Sequence, residues 1–212
     1  CRFIKTGPDQ YGAGDKFLGI RVPVLRKIAR SHRHLELSAA ETLLHSPFHE
    51  IRLTALLILV ERYKGGDAGA QQKIYELYLR NTEYVNNWDL VDVSAPAIVG
   101  HYLEHRDREV LYSLAVSDNI WERRMAILAT FHFIRADSFT DTIRLAEILR
   151  DDELVLLHKA VGWMLREVGK RDLALLLGFL DLNYSKMPRT MLRYAIERFP
   201  EELRQAYLKG IR

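Results

Sequence analysis

The sequence predicts an all-α fold, on three observations. After residue 19, apolar residues recur at three- and four-residue spacing almost without a break, which is the period of an α-helix. No segment alternates apolar and polar residues beside an Asn-Gly or Asp-Gly turn, so nothing predicts a β-hairpin. Only six prolines and twelve glycines interrupt the 212 residues. We therefore expect about twelve helices of roughly 8–18 residues joined by short loops.

The positions of individual helices are predicted from the spacing of apolar residues and from residues that are typical of helix ends. Residues 51–60 are apolar except at Arg52 and Thr54, which predicts a helix buried on almost all sides. Ser38, with Glu41 three residues later, predicts a helix start through a capping box. Glycines at or near 65, 100, 169 and 210 predict helix ends. Amphipathic spacing predicts a further helix through Leu154, Leu157, Val161, Met164, Leu165 and Val168.

A weak internal repeat predicts how the helices are arranged. Residues 51–55 align with residues 122–126 at a shift of 71, close to twice 36. A further step of about 36 reaches residues 160–163, and the intermediate step reaches residues 88–92. A period near 36 with two helices per unit is typical of an α-solenoid of HEAT-like repeats, here about six helix pairs. The alternative is an irregular helical bundle.

The repeat predicts which side chains share the concave surface of such a solenoid. Positions about 36 apart lie side by side on neighbouring second helices, so Trp88 and Arg124 are expected to be lateral neighbours. Asp92 follows Trp88 by one helical turn. Trp163 comes 39 residues after Arg124 and is therefore expected level with Asp92. These four residues are predicted to converge on the inner surface.

The two aspartates of the segment 88–92, Asp89 and Asp92, have different explanations. Asp89 falls in the first turn of the predicted helix, where the helix dipole alone accounts for it. Asp92 lies beyond the first turn, between the apolar Leu90 and Val91 on one side and Val93 on the other. A carboxylate in such surroundings is either paired, for instance with Arg124 or a hydroxyl, or functional.

All three tryptophans fall on the predicted second helices. A single tryptophan on a helix usually belongs to the core, and this is our interpretation of Trp121. Trp88 and Trp163 are candidates for the site because the repeat places both beside Asp92.

The basic residues are unevenly distributed, although the net charge is only +3. Residues 16–35 contain six basic and no acidic residues, and residues 186–212 contain seven basic and three acidic ones. A concave face rich in cations suits a polyanion such as duplex DNA, and the alternative is a set of ordinary solvated helix faces. The basic residues that form this uneven distribution include Arg21, Arg26, Arg124, Lys159 and Arg166.

Other classes of protein are disfavoured by what the sequence lacks. Gly12 to Lys16 do not complete a phosphate-binding loop. The pairs His45/His49 and His101/His105 have helical spacing but neither the glutamate placement of a zinc protease nor a cysteine partner, so we interpret them as surface or capping histidines and expect no metal and no cofactor. No apolar run approaches about 18 residues, and no secretory signal is evident.

These features predict one domain over residues 1–212, with residues 1–18 a Gly-rich segment lacking upstream helices. The single cysteine, Cys1, cannot form an internal disulfide and is no candidate nucleophile. We expect a monomer in the cytoplasm, associated with the nucleoid if the source is bacterial.

At the residues singled out above, the sequence resembles the AlkD-type DNA alkylation repair glycosylases. Four motifs carry the resemblance in family order, and it covers about residues 17–170: residues 19–23 (GIRVP), residues 88–92 (WDLVD), residues 117–121 (SDNIW) followed by Arg124, and residues 161–167 (VGWMLRE). The resemblance implies a stack of HEAT-like helix pairs. It also implies removal of N3- and N7-alkylated purines without a metal and without flipping the damaged base into a pocket.

The resemblance further implies roles for individual residues. Asp92 would be the catalytic carboxylate, with Trp88 and Trp163 packing against the deoxyribose of the damaged nucleotide. Arg124 would hold the phosphate backbone nearby. Arg21, Arg26 and Arg166 fall where the family contacts DNA, and Phe3 would stand in for an aromatic residue of the family's N-terminal helices. Because some relatives bind DNA without excising bases, a non-catalytic DNA-binding protein is the alternative, followed by a protein-binding HEAT scaffold.

Overall fold

The computed structural model describes Gly7, Gln10 and residues 12–212, so Cys1 and Phe3 lie outside the described residues. This part of the chain contains twelve α-helices, two short 3₁₀ segments and one π-helical turn. It contains no β-strand, only an isolated bridge between Lys16 and Phe48. The all-α prediction is therefore confirmed, and the helices of 7 to 17 residues are close to the expected lengths.

The chain folds as two compact units, the first of which ends at Tyr102. In this first unit α3 is the central helix, since α1, α2, α4 and α5 all pack against it. A 3₁₀ segment, Thr82–Tyr84, precedes α5, and a π-helical turn, Pro96–Gly100, follows it. The helices are α1 (Val22–Ser31), α2 (Leu37–Leu44), α3 (His49–Gly65), α4 (Ala68–Arg80) and α5 (Trp88–Ala95).

The second unit spans Leu103–Arg212 and is organised around two helices, α7 and α9. Helices α6, α8 and α9 pack on α7, and α10 and α11 pack on α9. A 3₁₀ segment, Leu149–Asp151, separates α8 from α9. The helices are α6 (Glu109–Ala115), α7 (Ile120–Arg135), α8 (Thr140–Ile148), α9 (Val155–Gly169), α10 (Leu173–Asn183), α11 (Arg189–Ala195) and α12 (Glu201–Lys209).

The internal repeat corresponds to the helices that are central to each unit. The 71-residue shift aligns the sequence of α3 with that of α7, and the further step of about 36 residues aligns α7 with α9. Within each unit a shorter helix packs on the long helix that follows it, as α2 packs on α3 and α6 packs on α7. The concave basic face and the single domain over residues 1–212 stay predictions.

The helix ends agree in part with the sequence. Helices α3 and α9 end at Gly65 and Gly169, and Gly210 follows α12 with φ of +70°, a conformation that suits glycine. Gly100 does not end a helix, because the helical chain passes through the π-helical turn into residues 101 and 102. The capping box at Ser38 is wrong: α2 begins one residue earlier, at Leu37, so Ser38 already lies within the helix.

In the described part of the chain, no helix is both long enough and apolar enough to cross a lipid bilayer.

Candidate functional site

Helix α5 carries two of the predicted site residues, Trp88 and Asp92. Its first residue, Trp88, and Asp92 lie one turn apart, and both side chains are half-buried. Leu90 and Val91 are fully buried and pack α5 onto the first unit. The helix therefore holds Trp88 and Asp92 one turn apart and half-exposed, and their place on a concave surface stays a prediction.

The charge of Asp92 affects the buried phenol of Tyr78, on helix α4 of the first unit. Burial raises the pKa of the Tyr78 phenol, and the negative charge of Asp92 raises it further. The Tyr78 hydroxyl lies 2.9 Å from the Ser94 hydroxyl, which in turn donates to the carbonyl of Leu90. The hydrogen bond between Tyr78 and Ser94 therefore joins α4 to α5 two residues after Asp92.

The start of α5 is attached to α3 by a buried histidine. Nε2 of His49 lies 2.8 Å from Oδ2 of Asp89, and its Nδ1 lies 3.3 Å from Oδ2 of Asp15. The interpretation of His49 as a surface or capping residue is therefore wrong, since its side chain is only 2% exposed. Asp89 likewise does more than complement the helix dipole, because it binds this imidazole.

An arginine one turn further along α3 completes the cluster. The side chain of Arg52 donates to Oδ1 of Asp15 at 2.6 Å and to Oδ1 of Asn86 at 2.9 Å. We call the four charged residues Asp15, His49, Arg52 and Asp89 the α5 anchor. The anchor ties three segments together: residues 12–19, the first turns of α3 and the first turn of α5.

The electrostatics of the α5 anchor favour the charged forms of His49 and Asp15. Burial opposes a charge on His49, but its hydrogen bonds to Asp15 and Asp89 outweigh burial and raise its pKa to about 9. Burial alone would raise the pKa of Asp15, yet the bond from His49 and the charge of Arg52 hold that pKa below its usual value. At neutral pH the anchor therefore holds a protonated His49 in contact with an ionised Asp15.

Glu50 binds the backbone of residues 12–19, the segment that contains Asp15. Its carboxylate accepts from the backbone N–H groups of Leu18 and Gly19 at 2.9 and 2.8 Å. Burial acts to raise the pKa of Glu50, but these backbone donors lower it below its ordinary value. The left-handed conformation of Gly19, with φ of +76°, lets the chain present both N–H groups to one carboxylate.

The third predicted site residue, Trp163, lies on α9 in the second unit. Its indole is half-buried, and Nε1 donates to Oε1 of Glu167 at 3.1 Å. The ring of Phe131, from α7, lies 5.7 Å from the indole. Gly162 precedes Trp163, and a Cβ there would meet the Met191 carbonyl and the Tyr194 side chain. The absence of a side chain at Gly162 thus lets α9 and α11 pack closely beside this tryptophan.

Trp121 differs from the other two tryptophans. It is 7% exposed and belongs to the core of the second unit. Its interpretation as a core residue is confirmed.

Two of the candidate DNA-binding arginines are engaged within the second unit. Arg124 is 5% exposed and donates to the carbonyl of Leu156 at 2.7 Å. Arg166 forms ion pairs with Glu167 and Glu197, and its Nε is a buried donor with no hydrogen-bond partner among the described residues. The phosphate contacts of both arginines stay predictions.

The other three candidate cations are freely accessible. Arg21 lies at the start of α1, Arg26 lies within α1, and Lys159 lies on α9. All three are exposed, and none of their side chains forms a hydrogen bond or ion pair with another described residue. Their positive charges are therefore available to an anionic partner.

The structure brings together some of the predicted site residues and adds others. Trp88 and Asp92 share α5, and Lys159, Trp163 and Arg166 share α9. Sequence reasoning missed Asp15, His49 and Arg52. Over Gly7, Gln10 and residues 12–212, no group of three or more histidine, cysteine, aspartate or glutamate side chains is arranged to hold a metal ion.

Comparison with known proteins gives two findings. The family model of the DNA alkylation repair enzyme matches residues 2–199. Among solved structures, the chain is similar to one described as a predicted DNA alkylation repair enzyme from Enterococcus faecalis, with a TM-score of 0.70 and 15% sequence identity. The similarity covers 89% of this chain and 90% of that one, and at this identity it shows a shared fold. The comparison with curated proteins found no match.

Proposed function

Because the chain belongs to the DNA alkylation repair enzyme family, we propose that it is an AlkD-type glycosylase. It excises cationic N3- and N7-alkylated purines from duplex DNA by hydrolysing the N-glycosidic bond, without flipping the damaged base. The observation that carries the proposal is the pair formed by Trp88 and Asp92. One helix presents an indole and a carboxylate one turn apart, both half-buried, on a segment anchored by buried charges.

The chemistry of the substrate explains why a carboxylate suffices. A purine alkylated at N3 or N7 is already cationic and departs as a neutral base, so the leaving group requires no general acid. The barrier then lies in the positive charge that develops on the sugar as the glycosidic bond lengthens. A carboxylate held near C1′ stabilises this charge and orients the attacking water. Asp92 is the residue that we assign to this role.

The tryptophans are assigned to the sugar as well. The face of an indole ring carries negative electrostatic potential, which attracts a cationic group and displaces bulk water. Trp88 and Trp163 are both half-buried, so each has part of its ring accessible to a ligand. Their proposed position on either side of the deoxyribose follows from the family resemblance and the repeat register.

DNA binding is assigned first to the cations that are free to contact phosphate. Arg21, Arg26 and Lys159 are exposed and unpaired in the described part of the chain, which supports this assignment. Arg124 and Arg166 are assigned to the backbone near the lesion, by resemblance to the family. Arg166 would have to exchange a glutamate partner for a phosphate, since it is already ion-paired.

The second candidate function is DNA binding without excision. The three free cations favour it as much as they favour the enzyme, because phosphate contacts do not depend on the chemistry. A protein-binding scaffold is a weaker candidate, since the exposed basic side chains of α1 suit a polyanion such as duplex DNA.

Base release separates the enzyme from both alternatives. Methylated duplex DNA is incubated with an excess of the protein, and free 7-methylguanine and 3-methyladenine are quantified over time. An enzyme releases them in a single exponential phase above the spontaneous rate, whereas unmodified duplex loses no base. A DNA-binding protein without chemistry binds both duplexes and leaves release at the spontaneous rate.

A further inference from the structure

The α5 anchor is more elaborate than a helix of eight residues requires. Helix α5 already has an N-cap, because the Asn87 side chain accepts from the Trp88 N–H at 2.9 Å, and it has two fully buried apolar residues, Leu90 and Val91. Removing a charge from water is costly unless excellent partners are present. The chain nevertheless places Asp15, His49 and Arg52 almost out of solvent, with exposures of 7%, 2% and 5%.

The partners of the anchor converge on the residues just before and within the first turn of α5. His49 binds Asp89, Arg52 binds Asn86, and the Asn87 side chain donates to Asp15 at 3.4 Å. These three side-chain contacts, at residues 86, 87 and 89, thus hold the chain on either side of Trp88. A hydrophobic contact could bury α5, but hydrogen bonds of this kind also set its rotation and its position along the axis.

We propose that His49 and Asp15 are positioning residues for the excision reaction: by locking the first turn of α5 to α3 they fix where Trp88 and Asp92 stand. This inference rests on the proposed function in its catalytic part. Neither residue contacts the reacting atoms, and the effect is transmitted through Asp89 and Asn87. A displacement of a catalytic group by about 1 Å can cost about 10²-fold in rate, so a loose α5 would slow excision while leaving phosphate contacts intact.

The protonation of His49 links the anchor to pH. The imidazole faces Asp15 from residues 12–19, Asp89 from α5, and Glu50 and Arg52 from its own helix, with the Phe17 ring 5.0 Å away. It can donate to both aspartates only when both of its nitrogens carry protons. Deprotonation near pH 9 removes one of these two donors and leaves a carboxylate without it.

The test compares two variants of the anchor with a matched control. His49→Gln keeps a polar side chain but cannot bind both aspartates, and Asp15→Asn removes one charge with almost no change in shape. His45→Gln is the control, because His45 lies four residues earlier, and its hydrogen bond to Asn81 at 2.6 Å and its ring contact with Tyr84 both involve residues outside α5. Amide hydrogen exchange of residues 86–95, duplex affinity and single-turnover release of 7-methylguanine are measured on each protein.

For both anchor variants we expect faster exchange across α5, unchanged duplex affinity and release slowed by about 10- to 100-fold. The control should match the wild type in all three. The wild-type rate, corrected for spontaneous loss, should also fall as the pH rises through about 9, and this fall should be absent in His49→Gln.

Three results would overturn the inference. Unchanged exchange of α5 in both anchor variants would show that the anchor does not hold the helix. Faster exchange with release at the wild-type rate would show that the position of α5 does not limit the reaction. An alkaline fall that persists in His49→Gln would assign that fall to another group. A wild type that binds duplex but releases no base would overturn the proposed function instead, and the exchange of α5 would still decide whether the anchor holds it.

Discussion

Nε2 of His49 and Oδ2 of Asp89 lie 2.8 Å apart, although forty residues separate them in the sequence. This bond joins the first turn of α3, the central helix of the first unit, to the first turn of the helix that carries Trp88 and Asp92. The imidazole is also bound to Asp15 on its other side, so a single side chain holds two carboxylates in place.

The first prediction concerns stability and pH. The pKa of His49 is raised from an unfolded value of 6.5 to about 9, so its stabilising contribution is fully present below pH 6.5 and is lost as the pH rises through 9. The difference in unfolding free energy between wild type and His49→Gln should therefore shrink by up to about 3 kcal/mol between about pH 6 and about pH 10. Urea unfolding at both pH values measures it. An equal difference at the two pH values would contradict the charged state of His49.

The second prediction compares two glycines in helix interiors. Gly162→Ala should destabilise the protein by about 1–3 kcal/mol, because the new Cβ meets the Met191 carbonyl and lies 2.6 Å from the Cβ of Tyr194. Gly178→Ala is the matched control: its Cβ meets nothing within 4 Å, so alanine should stabilise α10 by about 0.5–1 kcal/mol. Thermal and urea unfolding of both variants should give opposite signs. A neutral Gly162→Ala would show that α9 and α11 can separate without cost.

The third prediction tests the free cations of α1. Arg26→Ala should weaken binding to methylated and unmodified duplexes alike and reduce the steepness of the salt dependence by about one unit. Lys73→Ala serves as the comparison, since Lys73 is an exposed cation on α4, outside the proposed DNA contacts, and its side chain has no ion-pair partner among the described residues. Affinity is measured over a range of salt concentrations. If the two variants reduced the salt slope equally, the contact would not be specific to α1.

The fourth prediction separates site tryptophans from core tryptophans. Trp88→Ala and Trp163→Ala should slow excision, and phenylalanine should restore part of the rate because it keeps a ring face. Trp121→Ala should instead cost about 3–5 kcal/mol of stability, as expected for a buried side chain. Unfolding curves beside single-turnover rates distinguish the two classes. If a variant loses activity only because it is unfolded under the assay conditions, the tryptophan concerned is not a site residue.

Much of the fold could be predicted from local periodicity, because an α-helix repeats over a few residues. The apolar run at residues 51–60 became the buried core of α3, and glycines ended α3 and α9 where expected. Gly100 misled the prediction, since Pro96 sits inside a continuing helix whose wider π-helical turn accommodates it.

The α5 anchor could not be predicted in the same way. The partners of His49 lie 34 and 40 residues away, and no local spacing reveals such pairs. One signal was nevertheless present: His49, Glu50 and Arg52 open a helix whose next residues, 53–60, are apolar except at Thr54. Polar side chains at the start of a buried helix need hydrogen-bond partners, and Asp15 and Asp89 provide them here.

The central claim is that the carboxylate of Asp92 provides the chemistry, and Asp92→Asn tests it most directly. The substitution removes the charge and preserves the shape, so duplex affinity should stay at or above the wild-type value while single-turnover release of 7-methylguanine falls by about 10²- to 10³-fold. Glu83→Gln, which removes an exposed charge five residues before α5, should leave release unchanged. Release by Asp92→Asn at the wild-type rate would contradict the proposed mechanism.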